Sequence, residues 1–149
     1  MCVTGIPQHT RWLVERLLAA YCARICPPQV RSVVQLGFTL EHDRATLEEL
    51  RPICGVPGTR RPMPLAQFRY DEREQLWRLF HADESGRWRR YAARPASPRF
   101  IDLLRELDAD PDGTFWCRID GKSLRWCSSR GRCADCDAKY CRVLGLQGP

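Results

Sequence analysis

Apolar and polar residues alternate with a period of two in three short runs, Ala66-Gln-Phe-Arg-Tyr70, Leu76-Trp-Arg-Leu-Phe80 and Arg87-Trp-Arg-Arg-Tyr91. That period marks strands with one face buried. The runs predict a meander with strands near Pro64 to Tyr70, Gln75 to His81 and Arg87 to Ala92, the last two joined by Ala82-Asp-Glu-Ser-Gly86. Upstream, Leu36, Phe38 and Leu40 alternate with Gly37, Thr39 and Glu41. A turn at Asp43-Arg44 sends the chain back through a second strand, Ala45 to Arg51. Pro52 to Pro62, rich in Pro and Gly, reads as a loop.

Helical spacing flanks these strands. Thr10 can cap a helix whose Trp12, Leu13, Leu17, Ala20, Tyr21 and Ile25 form one stripe, and Pro27-Pro28 ends it. Gln29 to Leu36 has room for a short helical turn. Ser97-Pro98 introduces a second helix in which Phe100, Leu103, Leu104 and Leu107 recur at i, i+3, i+4 and i+7. The pattern predicts an α+β fold of two layers, with two main helices against a five-stranded antiparallel sheet built from a hairpin and a three-stranded meander. The domain is expected over residues 8–116, followed by a cysteine-rich basic tail, 117–149.

The order of the motifs adds a resemblance. Pro27-Pro28, Glu49-Leu-Arg51-Pro52, Ala66 to Tyr70, Trp77-Arg-Leu79, Trp88 to Tyr91, Asp108 to Pro111 and Phe115-Trp116 follow one another along the chain. In this the chain resembles a small bacterial family catalogued only as a domain of unknown function, across residues 10–116. The resemblance implies a shared fold and carries no activity with it. Members usually stop near a Phe-Trp-Gly; here Cys117 stands at that glycine and the chain continues to Pro149.

Charge alters the picture less than its distribution does. The net charge is +6, from 22 Arg and 2 Lys against 18 acids. The excess lies mostly in the tail, where residues 115–149 hold seven bases and three acids, whereas residues 95–114 hold two bases and five acids. No apolar run reaches the roughly 18 residues of a membrane span, and Met1 to Pro7 lacks the character of a signal peptide, so a cytoplasmic protein without a membrane partner is expected. Nine cysteines in such a chain suggest free thiols or metal ligands more than disulfides.

Three constellations could carry chemistry. If Ala66, Phe68, Tyr70, Trp77, Leu79 and Trp88 face the helices, Gln67, Arg69, Arg78, Phe80, Arg87, Arg89 and Tyr91 share the other side. Such an Arg/aromatic face suits single-stranded nucleic acid, with guanidinium groups on phosphates and rings under bases. The alternative is a solvated face whose arginines pair with Glu41, Glu48 and Glu72 and bind nothing. In the tail, Cys127, Cys133, Cys136 and Cys141 could hold zinc, although only one of their spacings is the short one of a zinc knuckle. Asp108, Asp110 and Asp112 with Gly113 resemble the opening of a calcium loop, but Ile119 stands where the closing Glu belongs, and a helix-terminal turn with solvated acids is the simpler reading.

Catalysis finds weaker support. Glu48, Glu49 and Arg51 beside Arg69 would suit metal-assisted phosphodiester chemistry, but a buried structural pair between Glu49 and Arg51 or Arg69 is the simpler reading. The expectation is a non-catalytic binding module with single-stranded nucleic acid as its ligand. A protein-interaction or assembly component, a homodimer through an exposed meander edge for instance, is the alternative, with a metal-dependent nuclease behind it.

Overall fold

A computed structural model describes residues 5–26, 35–53, 56–83, 85–115, 117–119 and 122–124. Helix α1 (Gln8–Ile25) leads into the strands β1 (Gln35–Leu40), β2 (Arg44–Ile53), β3 (Val56–Asp71), β4 (Leu76–Ala82) and β5 (Trp88–Arg90), and α2 (Phe100–Ala109) follows. The five strands form one antiparallel sheet in the order β1-β2-β3-β4-β5. This is the two-helix, five-strand α+β architecture that the pattern predicts. The short turn read at Gln29 to Leu36 lies mostly outside the described residues.

Both helices contribute to one apolar core. Ala45 and Leu47 of β2, Ala66 and Phe68 of β3, and Trp77 and Leu79 of β4 meet Val14, Leu18, Tyr21 and Ile25 of α1 and Phe100, Leu103, Leu104 and Leu107 of α2. Phe100 anchors α2, with its ring centroid 4.7 Å from that of Phe68 and 5.1 Å from that of Trp77. Each such side chain contributes about 1.5–3 kcal/mol when fully buried.

Helix α1 starts earlier than its apolar stripe suggests and turns a different face inward. Pro7, with φ −56° and ψ 145°, precedes the first turn, and Thr10 lies inside the helix. The buried residues Val14, Leu18, Tyr21 and Ile25 are spaced four, three and four apart, whereas Trp12 and Leu13 are 58% and 49% exposed. Apolar residues occupy so much of the helix circumference that two stripes compete, sharing Tyr21 and Ile25. The sheet takes the stripe of Val14, Leu18, Tyr21 and Ile25.

Helix α2 is introduced as the sequence indicates. The Ser97 hydroxyl accepts from the Arg99 N–H at 3.2 Å and donates to Asp102 at 2.9 Å. The Ser97 backbone also pairs with Trp77 (N–H to carbonyl 2.7 and 3.0 Å), so the segment entering α2 covers part of the β4 edge that the short β5 leaves open.

One further expectation is corrected. Pro52 to Pro62 is not a loop, because β2 runs on to Ile53 and β3 begins at Val56. Strand β4 pairs with β3 only between Ala66 and Asp71, so the earlier part of β3 has no β4 alongside it. A proline lacks an N–H, and an outer edge of this kind is where a strand tolerates it. In addition, the tail opens with a separate two-stranded sheet, β6 (Cys117–Ile119) and β7 (Lys122–Leu124).

Candidate functional site

Cross-strand partners in an antiparallel sheet project to the same side, so the register defines the face turned away from the helices. One row across it is Arg44, Arg69 and Arg78, on β2, β3 and β4. The next is Thr46, Gln67, Phe80 and Arg90, reaching β5, where Trp88 opposite Ala82 belongs to the same side.

This face agrees with the sequence reading at Gln67, Arg69, Arg78 and Phe80, and departs from it on β5. Arg89 is opposite His81, and His81 is opposite Ala66 of the core, so Arg89 belongs to the helix side. Tyr91 follows the strand and is buried at 3% exposure, its ring centroid 5.0 Å from that of Phe115. Trp88 and Arg90 take the outward places. The reason is parity: the turn from Asp83 to Arg87 fixes which β5 residue meets Phe80, and a one-residue change exchanges the two faces. In that turn Asp83 accepts from the N–H groups of Ser85 and Arg87, both at 2.9 Å, and Gly86 takes φ 78°. Arg87 precedes β5 as an exposed turn residue.

Three arginines in direct cross-strand register repel one another, and the two outer ones are neutralised locally. Arg44 pairs with Asp43 at 2.9 Å and lies 3.7 Å from Glu41. Arg78 pairs with Asp71 at 3.3 Å and with Glu74. Arg69, in the middle, has no carboxylate within 4 Å among the described residues. Its guanidinium carbon lies 4.1 Å from the centre of the Phe80 ring, and its Nε donates to Gln67 at 2.6 Å. Gln67 in turn donates to Thr46 at 3.0 Å. Burial first, and the charge of Arg44 second, lower the Arg69 pKa below the ordinary arginine value. It remains a cation whose environment would favour an anion beside it. A shallow groove of about 390 Å³ opens along it, lined among others by His42, Asp43, Tyr70, Asp71, Glu72 and Phe80. Gly5 closes one side, where a Cβ would come within 2.6 Å of the His42 carbonyl oxygen.

Neither reading of the face is met in full. The acids that hold its arginines are Asp43, Glu41, Asp71 and Glu74, of which the sequence reading named only Glu41. Arg89, off the face, pairs with Asp83 at 2.9 Å.

The nuclease arrangement does not assemble. Glu48 and Glu49 alternate along β2, so Glu48 shares the Arg69 side while Glu49 is fully buried on the helix side. Parity therefore also excludes the pair between Glu49 and Arg69.

The three aspartates after α2 disperse to different partners. Asp108 pairs with Arg24 at 3.3 Å, Asp110 accepts from the Phe115 N–H at 3.1 Å, and Asp112 accepts from the Thr114 N–H at 3.3 Å. The segment is a helix-terminal turn, with Asp110 left-handed at φ 42°, but its acids are not all solvated, since Asp110 is fully buried. No metal-holding group of three His, Cys, Asp or Glu residues occurs among the described residues. Cys127, Cys133, Cys136 and Cys141 lie outside them. Of the cysteines within them, Cys22 and Cys26 form no disulfide, and burial raises the Cys22 pKa to about 11. Among the described residues no helix is long and apolar enough to cross a membrane.

Fold and face together define a small α+β domain with one helix-covered side and one open Arg/aromatic side. The chain belongs to the family described as Domain of unknown function (DUF3024), whose model matches residues 6–117. No curated protein and no solved structure matches it.

Proposed function

We propose that this protein is a non-catalytic binding module whose open sheet face takes single-stranded nucleic acid. The observation that carries the reading is Arg69, a partly buried cation flanked in register by two neutralised arginines and seated on an aromatic ring. A phosphate there would supply the charge that the protein supplies to Arg44 and Arg78. Phe80 and Trp88 offer rings for bases, at roughly 1–3 kcal/mol per stacked base, and Arg90 offers a second cation. The reading places the protein in the cytoplasm of a bacterium, and the free thiol of Cys22 fits a reducing compartment.

Fluorescence anisotropy with a labelled single-stranded oligonucleotide tests it. Saturable binding that weakens steeply with salt is expected, with Arg69→Gln lowering affinity about tenfold, the equivalent of ~1.4 kcal/mol. Absence of binding at low salt, in a protein purified free of nucleic acid, would remove the proposal.

A second reading, assembly with another copy of the chain, draws on a different place. The meander edge expected to serve it is short at β5 and partly covered through Ser97, but Trp12 and Leu13 stand exposed on α1, with the Arg16 guanidinium 4.8 Å from the Trp12 ring centre.

A further inference from the structure

Arg69 shares its groove with the carboxylates of Asp43, Asp71 and Glu72, and these differ in how many acceptor positions they keep open. Both oxygens of Asp43 accept from Arg44, at 2.9 and 3.3 Å. Asp71 is equally occupied, since Oδ1 accepts from the N–H groups of Arg73 and Glu74 at 2.9 and 3.1 Å and Oδ2 accepts from Arg78 at 3.3 Å. Glu72 is different. It lines the groove as an exposed residue of the turn between β3 and β4, and it has neither a hydrogen bond nor an ion pair among the described residues. On the cation side, Arg69 uses Nε on Gln67 and sets its guanidinium against the Phe80 ring, so its two Nη groups meet no acceptor among the described residues. The groove therefore holds one open donor and one open acceptor that do not pair with each other.

A phosphate answers only half of this arrangement. The oxygens of a phosphodiester accept and never donate, so a phosphate on Arg69 leaves Glu72 unmet and is repelled by it. Whatever enters the groove beside that phosphate has to donate. Within a DNA strand the bases carry the N–H donors, and they differ in how many they present together. Thymine has one, N3–H, flanked by two carbonyl oxygens that a carboxylate repels. Cytosine and adenine have one amino group, each beside an acceptor nitrogen. Guanine presents N1–H and its 2-amino group side by side, a spacing that the two oxygens of a carboxylate match. We infer that this groove reads guanine, with Glu72 accepting from the N1–H and 2-amino groups of one base while Arg69 holds a phosphate of the same strand. Tyr70 and Phe80 supply ring surface along the groove for that base. The acidic lining, which disfavours a run of phosphates, thereby becomes the element that selects the base edge.

This inference rests on the reading of the open face as a single-strand site, and the experiment keeps the two apart. Anisotropy competition on the full chain would compare four DNA strands, all thymine except for one central position that is guanine, inosine, cytosine or thymine. The guanine strand is expected to bind at least about fivefold tighter than the all-thymine strand. Inosine, which lacks the 2-amino group, and cytosine, with a single amino donor, should fall between them. Glu72→Ala should bring the guanine and thymine strands to within about twofold of each other. The substitution removes no contact among the described residues, so the fold is expected to persist. Equal binding of the guanine and thymine strands, inosine binding as tightly as guanine, or a guanine preference that survives Glu72→Ala overturns the inference and leaves the single-strand reading standing. Failure of all four strands to bind removes the reading itself, and the inference with it.

Discussion

At the scale of the residue, the acids that shape this surface also set its response to pH. Asp83 is held below the usual carboxylate range first by the Arg87 N–H and then by the Arg89 side chain, and Asp71 first by the Glu74 N–H. A group with a depressed folded pKa stabilises the fold above its unfolded pKa, about 3.9 for Asp, and that contribution disappears as the pH falls through the folded value. Stability should therefore hold from neutral pH to about 4 and fall below it. Asp83→Asn should lower the melting temperature at pH 7 and flatten that acid limb. Tyr91 behaves oppositely, since burial and then the charges of Asp112 and Glu106 raise its pKa. Its neutral form is favoured by the fold, so stability is present below its unfolded pKa of about 10 and is lost as the pH rises beyond it. Tyr91→Phe should remove that alkaline loss, as thermal unfolding monitored between pH 9 and 11 would show.

At the scale of the element, α1 shows how a helix with too many apolar positions is oriented. Leu18 is fully buried and Leu13 is half exposed, five residues away on the same helix. Leu18→Ala should cost about 2–5 kcal/mol through lost burial and the cavity left behind, whereas Leu13→Ala should stay within about 0.5 kcal/mol. Urea unfolding of the two variants checks the assignment, and equal losses would contradict it. Strand β5 illustrates the same issue for a sheet. Its sequence, Arg-Trp-Arg-Arg-Tyr, has an arginine available for either parity, so alternation alone does not say whether Trp88 or Tyr91 turns inward. The Asp83 turn decides, by hydrogen bonds that a hydrophobicity pattern does not record.

At the scale of the whole molecule, the two sides of the sheet have different duties, and α1 adds a third surface. If copies associate through Trp12 and Leu13, light scattering should give twice the 17.3 kDa chain mass, and Trp12→Ser should return the single mass. A monomer at high concentration would count against assembly. The chain's own pattern determined the two helices, the five antiparallel strands and the inward positions Phe68, Trp77, Leu79 and Leu103, because periods of two and of 3.6 record which positions must leave water. It also located Gln67, Arg69, Arg78 and Phe80 on one side. Only the tertiary structure decided that, among the described residues, Arg69 of the row Arg44, Arg69 and Arg78 is the one without a carboxylate within 4 Å, since Asp43, Asp71 and Glu74 reach their partners through turn geometry. Parity on β5, the inward stripe of α1 and the continuation of β2 and β3 through a proline-rich stretch likewise depended on neighbouring strands and helices. Local sequence fixes the period of burial, and packing fixes its phase.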